Sequence, residues 1–264
     1  MALDILVQLS FRDRLFAHHA YLADRFANFT AEHFASLAAV AVLIAGALLL
    51  AARASERGER RFEIGLGCAM LGGTAVQILW SALSGHFEPG YDLIVFHLCG
   101  MTSLVGAVLL LRPEAKRGRF LPNVLYFAGI PGALMALATP DLPYAFPHFM
   151  NAMFFLSHAM IVLSALHLVR VRRFRPEPKR IPAVFLALNA VLVPVYLVDR
   201  LTGGNYFFLI EPPANTLAIV FAEWVGWGWY LIPMEAVALL AFGLFALPWI
   251  RWGRRRPREP QGMV

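Results

Sequence analysis

A thiol and an imidazole set among apolar residues are the most chemically versatile groups of this chain. Cys99 carries the thiol, inside Phe96–His97–Leu98–Cys99–Gly100–Met101–Thr102–Ser103. His97, His148, His158 and Glu235 carry groups that move protons. A thiol attacks only as its thiolate, and apolar burial makes the charged form costlier. A nucleophilic Cys99 therefore requires a proton acceptor close by. His97 is poorly placed on a helix, since residues two apart point to nearly opposite faces. The acceptor must come from another helix, and His158 is the candidate.

The surroundings of these groups fix the class of protein. Of 264 residues, 59% are apolar and 15% charged, with a mean hydropathy of +0.62. Soluble domains are nearer half apolar and about 25% charged. Soluble, disordered and disulfide-scaffold classes are excluded, the last because there are two cysteines. The net charge of +6 is scattered in short basic clusters between apolar runs and forms no nucleic-acid patch. The runs are continuous and lack the period-2 alternation of a membrane barrel. The expectation is all-α: a polytopic membrane protein.

A hydrocarbon core of ~30 Å takes ~20 apolar residues per helix. Seven runs qualify: His33–Ala52, Phe62–Ser84, Leu93–Leu111, Phe120–Ala138, His148–Val169, Ile181–Leu201 and Gly226–Ile250. Nineteen Lys and Arg fall after spans one, three, five and seven, against Arg200 alone in the opposite loops. By the positive-inside rule, seven transmembrane helices run with the N-terminus outside and the C-terminus cytosolic. The first thirty residues carry mixed charge and do not read as a secretory signal. Leu3, Leu6, Val7, Phe11 and Leu15 recur at near-helical spacing, which fits either an amphipathic interfacial helix or an ordinary lead-in. The organisation is one integral-membrane domain: an N-terminal segment 1–32, a bundle 33–250 and a basic tail 251–264. The loop Thr202–Val225 is long and aromatic, as a lid would be.

Polar residues at bilayer depth are costly and face the bundle interior. Thr74, Gln77, Ser81 and Ser84 share one helical face, as do His148, Asn151, Phe155 and His158. Thr102 and Ser103 lie beside Cys99, and Asn189 and Glu235 occupy spans six and seven. Counting 1.5 Å per residue from the outer edge, Cys99 lies at ~9 Å and His158 at ~15 Å, within the slack of helix tilt. A polar cavity in the outer half is the expectation. Plainer readings of the same residues stand beside it: Cys99 as a small core residue, the stripes as interhelical glue, His158 as a satisfied core histidine, and Glu235 as a partner of Asn189 or of a histidine. Pro131, Pro194 and Pro233 read as helix kinks. The histidines and Glu235 lack metal-ligand spacing, so neither metal nor other cofactor is expected. Cys68 lies near the opposite edge from Cys99, too far for a disulfide.

The arrangement resembles the YwaF-type integral-membrane proteins of bacteria. The segments that carry the resemblance are FHLCGMTS around Cys99, YFAGIPGALMALATPDL from Tyr126, PHFMNAMFFLSHAMIV around His158, GGNYFFLIEPPANTL from Gly203 and WGWYLIPMEAV from Trp227. The chain departs from that family at Gly226–Tyr230, where a Pro-Trp-Tyr turn is usual. The family is similar to an animal multi-span acyltransferase of ether phospholipids, in which a membrane cysteine and a later histidine are the proposed catalytic pair. The resemblance implies a lipid acyltransferase or acyl hydrolase with Cys99 and His158 in those roles. Asn151, Thr102, Ser103, Gln77, Glu235 and His97 would furnish the polar cavity. Membrane lipids would be donor and acceptor, in a plasma membrane of bacterial inner-membrane type. The residues leave open a proton-coupled carrier, with Glu235 and His158 as relay, and a sensor or scaffold that docks through its basic loops.

Overall fold

The computed structural model describes residues 15–16, 26–84, 87, 92–213 and 216–254. All secondary structure among them is helical. Eight helices follow in order: α1 Ala31–Arg53, α2 Glu56–Leu83, α3 Leu98–Leu111, α4 Phe120–Ala138, α5 Phe149–Arg170, α6 Ile181–Thr202, α7 Leu217–Val225 and α8 Leu231–Arg254. All but α3 and α7 are long and apolar enough to cross a membrane.

Local chemistry starts and stops these helices. The Thr30 and Ser55 hydroxyls accept the backbone N–H groups of His33 and Gly58, capping α1 and α2. Glu56 and Glu59 in the first turn of α2 suit the positive end of its dipole. Gly203, at φ 72°, takes the left-handed conformation that ends α6.

Helix α5 is the centre of the bundle, packed by α1, α2, α3 and α4. Its buried face includes Phe155, Ala159, Ile161, Leu163 and Leu168. By contrast α1, α6 and α8 present Val42, Leu50, Leu186, Leu197, Leu240 and Leu244 outward, as lipid-facing helices do. Helix α4 contains a fully buried π-turn, Leu125–Gly129, just before Pro131. A proline inside a helix removes one ladder bond and crowds the preceding turn, and the wider π-turn absorbs the misfit. Pro194 likewise lies inside α6. Pro233 is the third residue of α8, where the ladder needs no N–H, so the expected kink is not required there.

Two expectations change. The run Leu93–Leu111 becomes a short 3-10 turn, Ile94–Phe96, followed by a helix beginning only at Leu98. Fourteen residues of helix reach ~21 Å, less than a hydrocarbon core. The loop Thr202–Val225 is partly helical, with a 3-10 turn at Tyr206–Phe208 and then α7. The proposed N-terminal amphipathic helix falls largely outside the described residues. Of it, 15–16 are helical, and the Phe16 ring lies 6.1 Å from that of Phe149.

The register of α3 on α5 matters most. Gly129 of α4 sits between Thr102 and Ile161, where a Cβ would touch both, at 3.5 and 3.3 Å. One turn on, a Cβ on Gly106 would press on Ser164 Oγ at 2.9 Å. The two helices therefore run parallel. The same offset sets Cys99 level with Ser157 and His158, and brings Leu111 level with Arg170, the last residues of α3 and α5. Helix α5 begins about 12 Å before α3 does.

Candidate active site

The site starts from the way α3 begins. His97 is its extended N-cap (φ −81°, ψ 155°) and Cys99 its second residue. Gly100 is obligatory, because a Cβ there would collide with the Ile94 carbonyl oxygen and crowd Val95 Cα at 2.8 Å. The 3-10 turn thus folds back over the first turn of the helix. Cys99 and Gly100 carry backbone N–H groups in the first turn of α3. These are N–H groups that a helix start leaves without ladder partners, and the dipole there favours negative charge. A thiolate at this position is met by fixed positive ends. Cys99 is half-buried against the main core and, like exposed Cys68, is a free thiol.

His158 stands midway along α5, 4% exposed. Its Nδ1 lies 2.7 Å from the Phe154 carbonyl oxygen. A carbonyl can only accept, so Nδ1 carries the proton, and neutral imidazole then keeps a lone pair on Nε2. The tautomer is thereby fixed as a base. The Phe154 ring, 4.4 Å from that of His158, holds its plane. No hydrogen bond joins Cys99 to His158 among the described residues.

The aromatic loop roofs the start of α3. The His97 ring meets Tyr206 edge-on at 5.0 Å and Phe208 at 5.6 Å. Tyr206 Oη accepts the Leu93 N–H at 3.1 Å, and the Tyr206 N–H donates to Asp199 Oδ1 at 2.7 Å. The Tyr230 hydroxyl donates to the Phe208 carbonyl. Burial pushes the Tyr206 phenol up to about 12, so it stays neutral. This segment is tied to α3, α6 and the start of α8.

The remaining expected site residues are distributed elsewhere. Thr102 is buried and returns its hydroxyl to the Leu98 carbonyl at 2.8 Å, beside Cys99 but engaged. Ser103 is buried on the same helix. Asn151 gives its amide protons to Glu32 Oε1 (3.1 Å) and the Tyr144 carbonyl (2.9 Å). Its amide thus ties α5 to α1 and to the preceding loop and does not orient His158. Gln77 donates to Gly73 of its own helix. Glu235 Oε2 accepts from Asn189 at 3.2 Å, the structural partnership its sequence context offered. His148 caps α5 by accepting the Met150 N–H and stacks on Tyr144 at 4.2 Å.

A second polar cluster was not found from sequence. At the far end of α2 and α5, fully buried Glu63 receives Arg172 through two nitrogens (2.8 and 2.9 Å) and His167 Nε2 at 3.2 Å. Arg60 also reaches Glu63, and donates to the carbonyls of Leu110 and Leu111. The Glu63 hydrogen bond raises the Arg172 guanidinium above its ordinary range. Glu59, Glu63 and His167 are close enough to share a cation, but the Arg172 guanidinium already fills that place. The signal was present: a lone carboxylate inside the apolar run that begins at Phe62, four residues after Glu59.

A model of the TMEM164 family matches residues 28–246. The chain belongs to the TMEM164 family. The match runs from just ahead of the Thr30 cap into α8, and so takes in Cys99, His158 and the aromatic roof. Membership in the TMEM164 family agrees with six helices of membrane-crossing length. No curated protein and no solved structure matches the chain.

Proposed function

We propose that the protein is an intramembrane lipid acyltransferase or acyl hydrolase, with Cys99 as nucleophile and His158 as base. The observation that supports this best is the register of α3 and α5. It sets a thiol at a helix start level with an imidazole whose Nε2 is left as the proton acceptor. The resemblance to YwaF-type proteins, and through them to an animal ether-phospholipid acyltransferase, points to the same two residues.

His158 Nε2 takes the thiol proton as Cys99 Sγ attacks the carbonyl carbon of an acyl ester. The first-turn N–H groups of α3 offset the negative charge. The C–O ester bond breaks, and the lyso-lipid oxygen leaves with the proton from His158. The acyl chain remains as a thioester on Cys99. A lyso-lipid hydroxyl then attacks the thioester, giving its proton to His158, and the thiol is restored. Water in place of that hydroxyl makes the protein a hydrolase.

The membrane arrangement is proposed with it: seven crossings, the N-terminus outside and the basic tail cytosolic, in a bacterial inner membrane. The α3 crossing is completed by the irregular segment ahead of Leu98. As a carrier, the protein would need Glu235 in a proton relay, and its bond to Asn189 favours a structural role. The test is reconstitution into vesicles containing a labelled diacyl phospholipid and an unlabelled lyso-phospholipid. Label should appear in the second lipid or as free fatty acid, and both products should vanish in Cys99→Ala and His158→Ala. Products that persist in both variants overturn the assignment.

A further inference from the structure

At the end of the bundle opposite the aromatic roof lies a cavity of about 470 Å³, lined by Arg119, Pro122, Leu168, Arg172, Arg173, Phe174 and Arg175. Four guanidinium groups and no carboxylate contribute to that lining. Its floor, Pro122, Leu168 and Phe174, is apolar.

Two of these arginines hold an unusual backbone. Arg119 has φ 54° and Arg173 φ 56°, the left-handed region that glycine and asparagine tolerate best. Each is held there from outside. The Arg119 carbonyl accepts from Asn123 Nδ2 at 2.6 Å, and Asn123 Oδ1 accepts the Glu177 N–H at 2.8 Å. Arg173 lies where α5 closes, with the Phe174 N–H returning to the Leu168 carbonyl at 2.8 Å. Strain over-determined in this way gathers at ligand clamps and other functional sites. Arg172 is spent on Glu63, and Arg119 on Glu177 at 2.6 Å. Arg173 is exposed and makes no ion pair among the described residues.

We infer that this cavity binds a phosphate ester, gripped by Arg173, with Arg119 at its edge bridged to Glu177. The planar fork of arginine matches phosphate oxygens in pairs. The volume exceeds that of one phosphate and falls in the range of small-ligand pockets, and the apolar floor receives the ester's carbon side. The ester is the head group of an anionic phospholipid from the adjoining leaflet or a soluble phosphate ester from the aqueous phase. The site is separate from Cys99 and does not depend on the acyl-transfer reading.

Native mass spectrometry of the full-length protein, released from micelles with equal phosphatidylglycerol and phosphatidylcholine, tests the first source. Thermal unfolding without added lipid, titrated with glycerol 3-phosphate, tests the second. The variants are Arg173→Asn alone and Arg119→Asn with Arg173→Asn, which keep a residue tolerant of left-handed backbone. Arg57→Asn with Arg61→Asn, on the exposed basic turn at the start of α2, is the control for general basicity. The wild type should retain phosphatidylglycerol about tenfold over phosphatidylcholine, or melt higher with glycerol 3-phosphate. The cavity variants should lose that preference or shift, and the control should keep it. Equal retention of both lipids together with no melting shift overturns the inference, and the wild-type arms decide this even if a variant fails to fold. A control that loses binding as fully as the cavity variants also overturns it.

Discussion

Cys99 opens α3 at the level where His158 stands midway along α5. A thiol at a helix start and an imidazole in mid-helix come level because α3 is short and runs parallel to its neighbour. The chain ahead of Leu98 folds back over the first turn of α3 instead of continuing as helix.

Gly100 maintains that turn. Gly100→Ala drives a methyl group into the Ile94 carbonyl and the Val95 backbone, neither of which is a flexible side-chain end. The expected cost is about 1–3 kcal/mol, typical of overpacking, seen as a lower melting temperature in detergent. Lipid turnover should fall along with it. A variant as stable and active as wild type would show that the turn is not required.

His158 should behave as a base fixed by its Nδ1 bond. His158→Gln removes the proton acceptor while keeping a polar side chain. Turnover should drop about 10²- to 10⁴-fold with melting little changed. A loss of folding without an effect on the surviving activity would mark His158 as a core residue.

Glu235 separates the catalytic reading from a carrier. Glu235→Gln keeps an oxygen to accept from Asn189, so lipid turnover should remain within a few-fold and stability within about 1 kcal/mol. A carrier with Glu235 in its proton relay would lose transport in that variant.

The Glu63–Arg172 pair should be strongly coupled. Arg172→Ala takes from a fully buried carboxylate its two-nitrogen partner, leaving Arg60 and His167 beside it, at an expected cost of about 3 kcal/mol. Adding Glu63→Leu should recover much of that loss, because the orphaned charge is gone. Additive losses in the double variant would exclude the coupling.

Glu177 gives a pH signature at the same end. Burial opposes its charge, but the hydrogen bond from Arg180 and the charges of Arg119, Lys179 and Arg180 outweigh it. Together they hold its carboxyl below the ordinary 4.5. A lowered carboxyl contributes stability above its unfolded value and loses it as the pH falls through the folded one. Melting temperature should therefore decline more steeply below about pH 4.5 in wild type than in Glu177→Gln. Parallel curves would contradict the assignment.

The legible part of this fold was whatever hydropathy and local spacing control. Phe120–Ala138 is a membrane-length helix as the apolar run implied, π-turn included, because insertion of one residue leaves hydropathy unchanged. The Asn189–Glu235 contact was available as a pairing of two polar residues on apolar helices. The start of α3 was hidden: Leu93–Leu111 reads as one membrane-length run, and the close approach of Ile94 and Val95 to Gly100, where the chain folds back ahead of Leu98, is not something hydropathy reports. Asn151 shares a helical face with His158, yet its partner is Glu32 on α1, which no spacing within α5 reveals. Glu63, His167 and Arg172 come from distant parts of the chain. Their meeting depends on how α2 packs on α5, and that packing is not written in either helix alone.

The most direct test of the central claim is the intact mass of the purified protein after brief incubation with a diacyl phospholipid and no acceptor. The account predicts a mass increase of one acyl chain, removed by hydroxylamine, absent in Cys99→Ala and formed far more slowly in His158→Ala. An adduct that persists in Cys99→Ala would contradict it. So would the absence of any adduct in a folded protein that also releases no lyso-lipid.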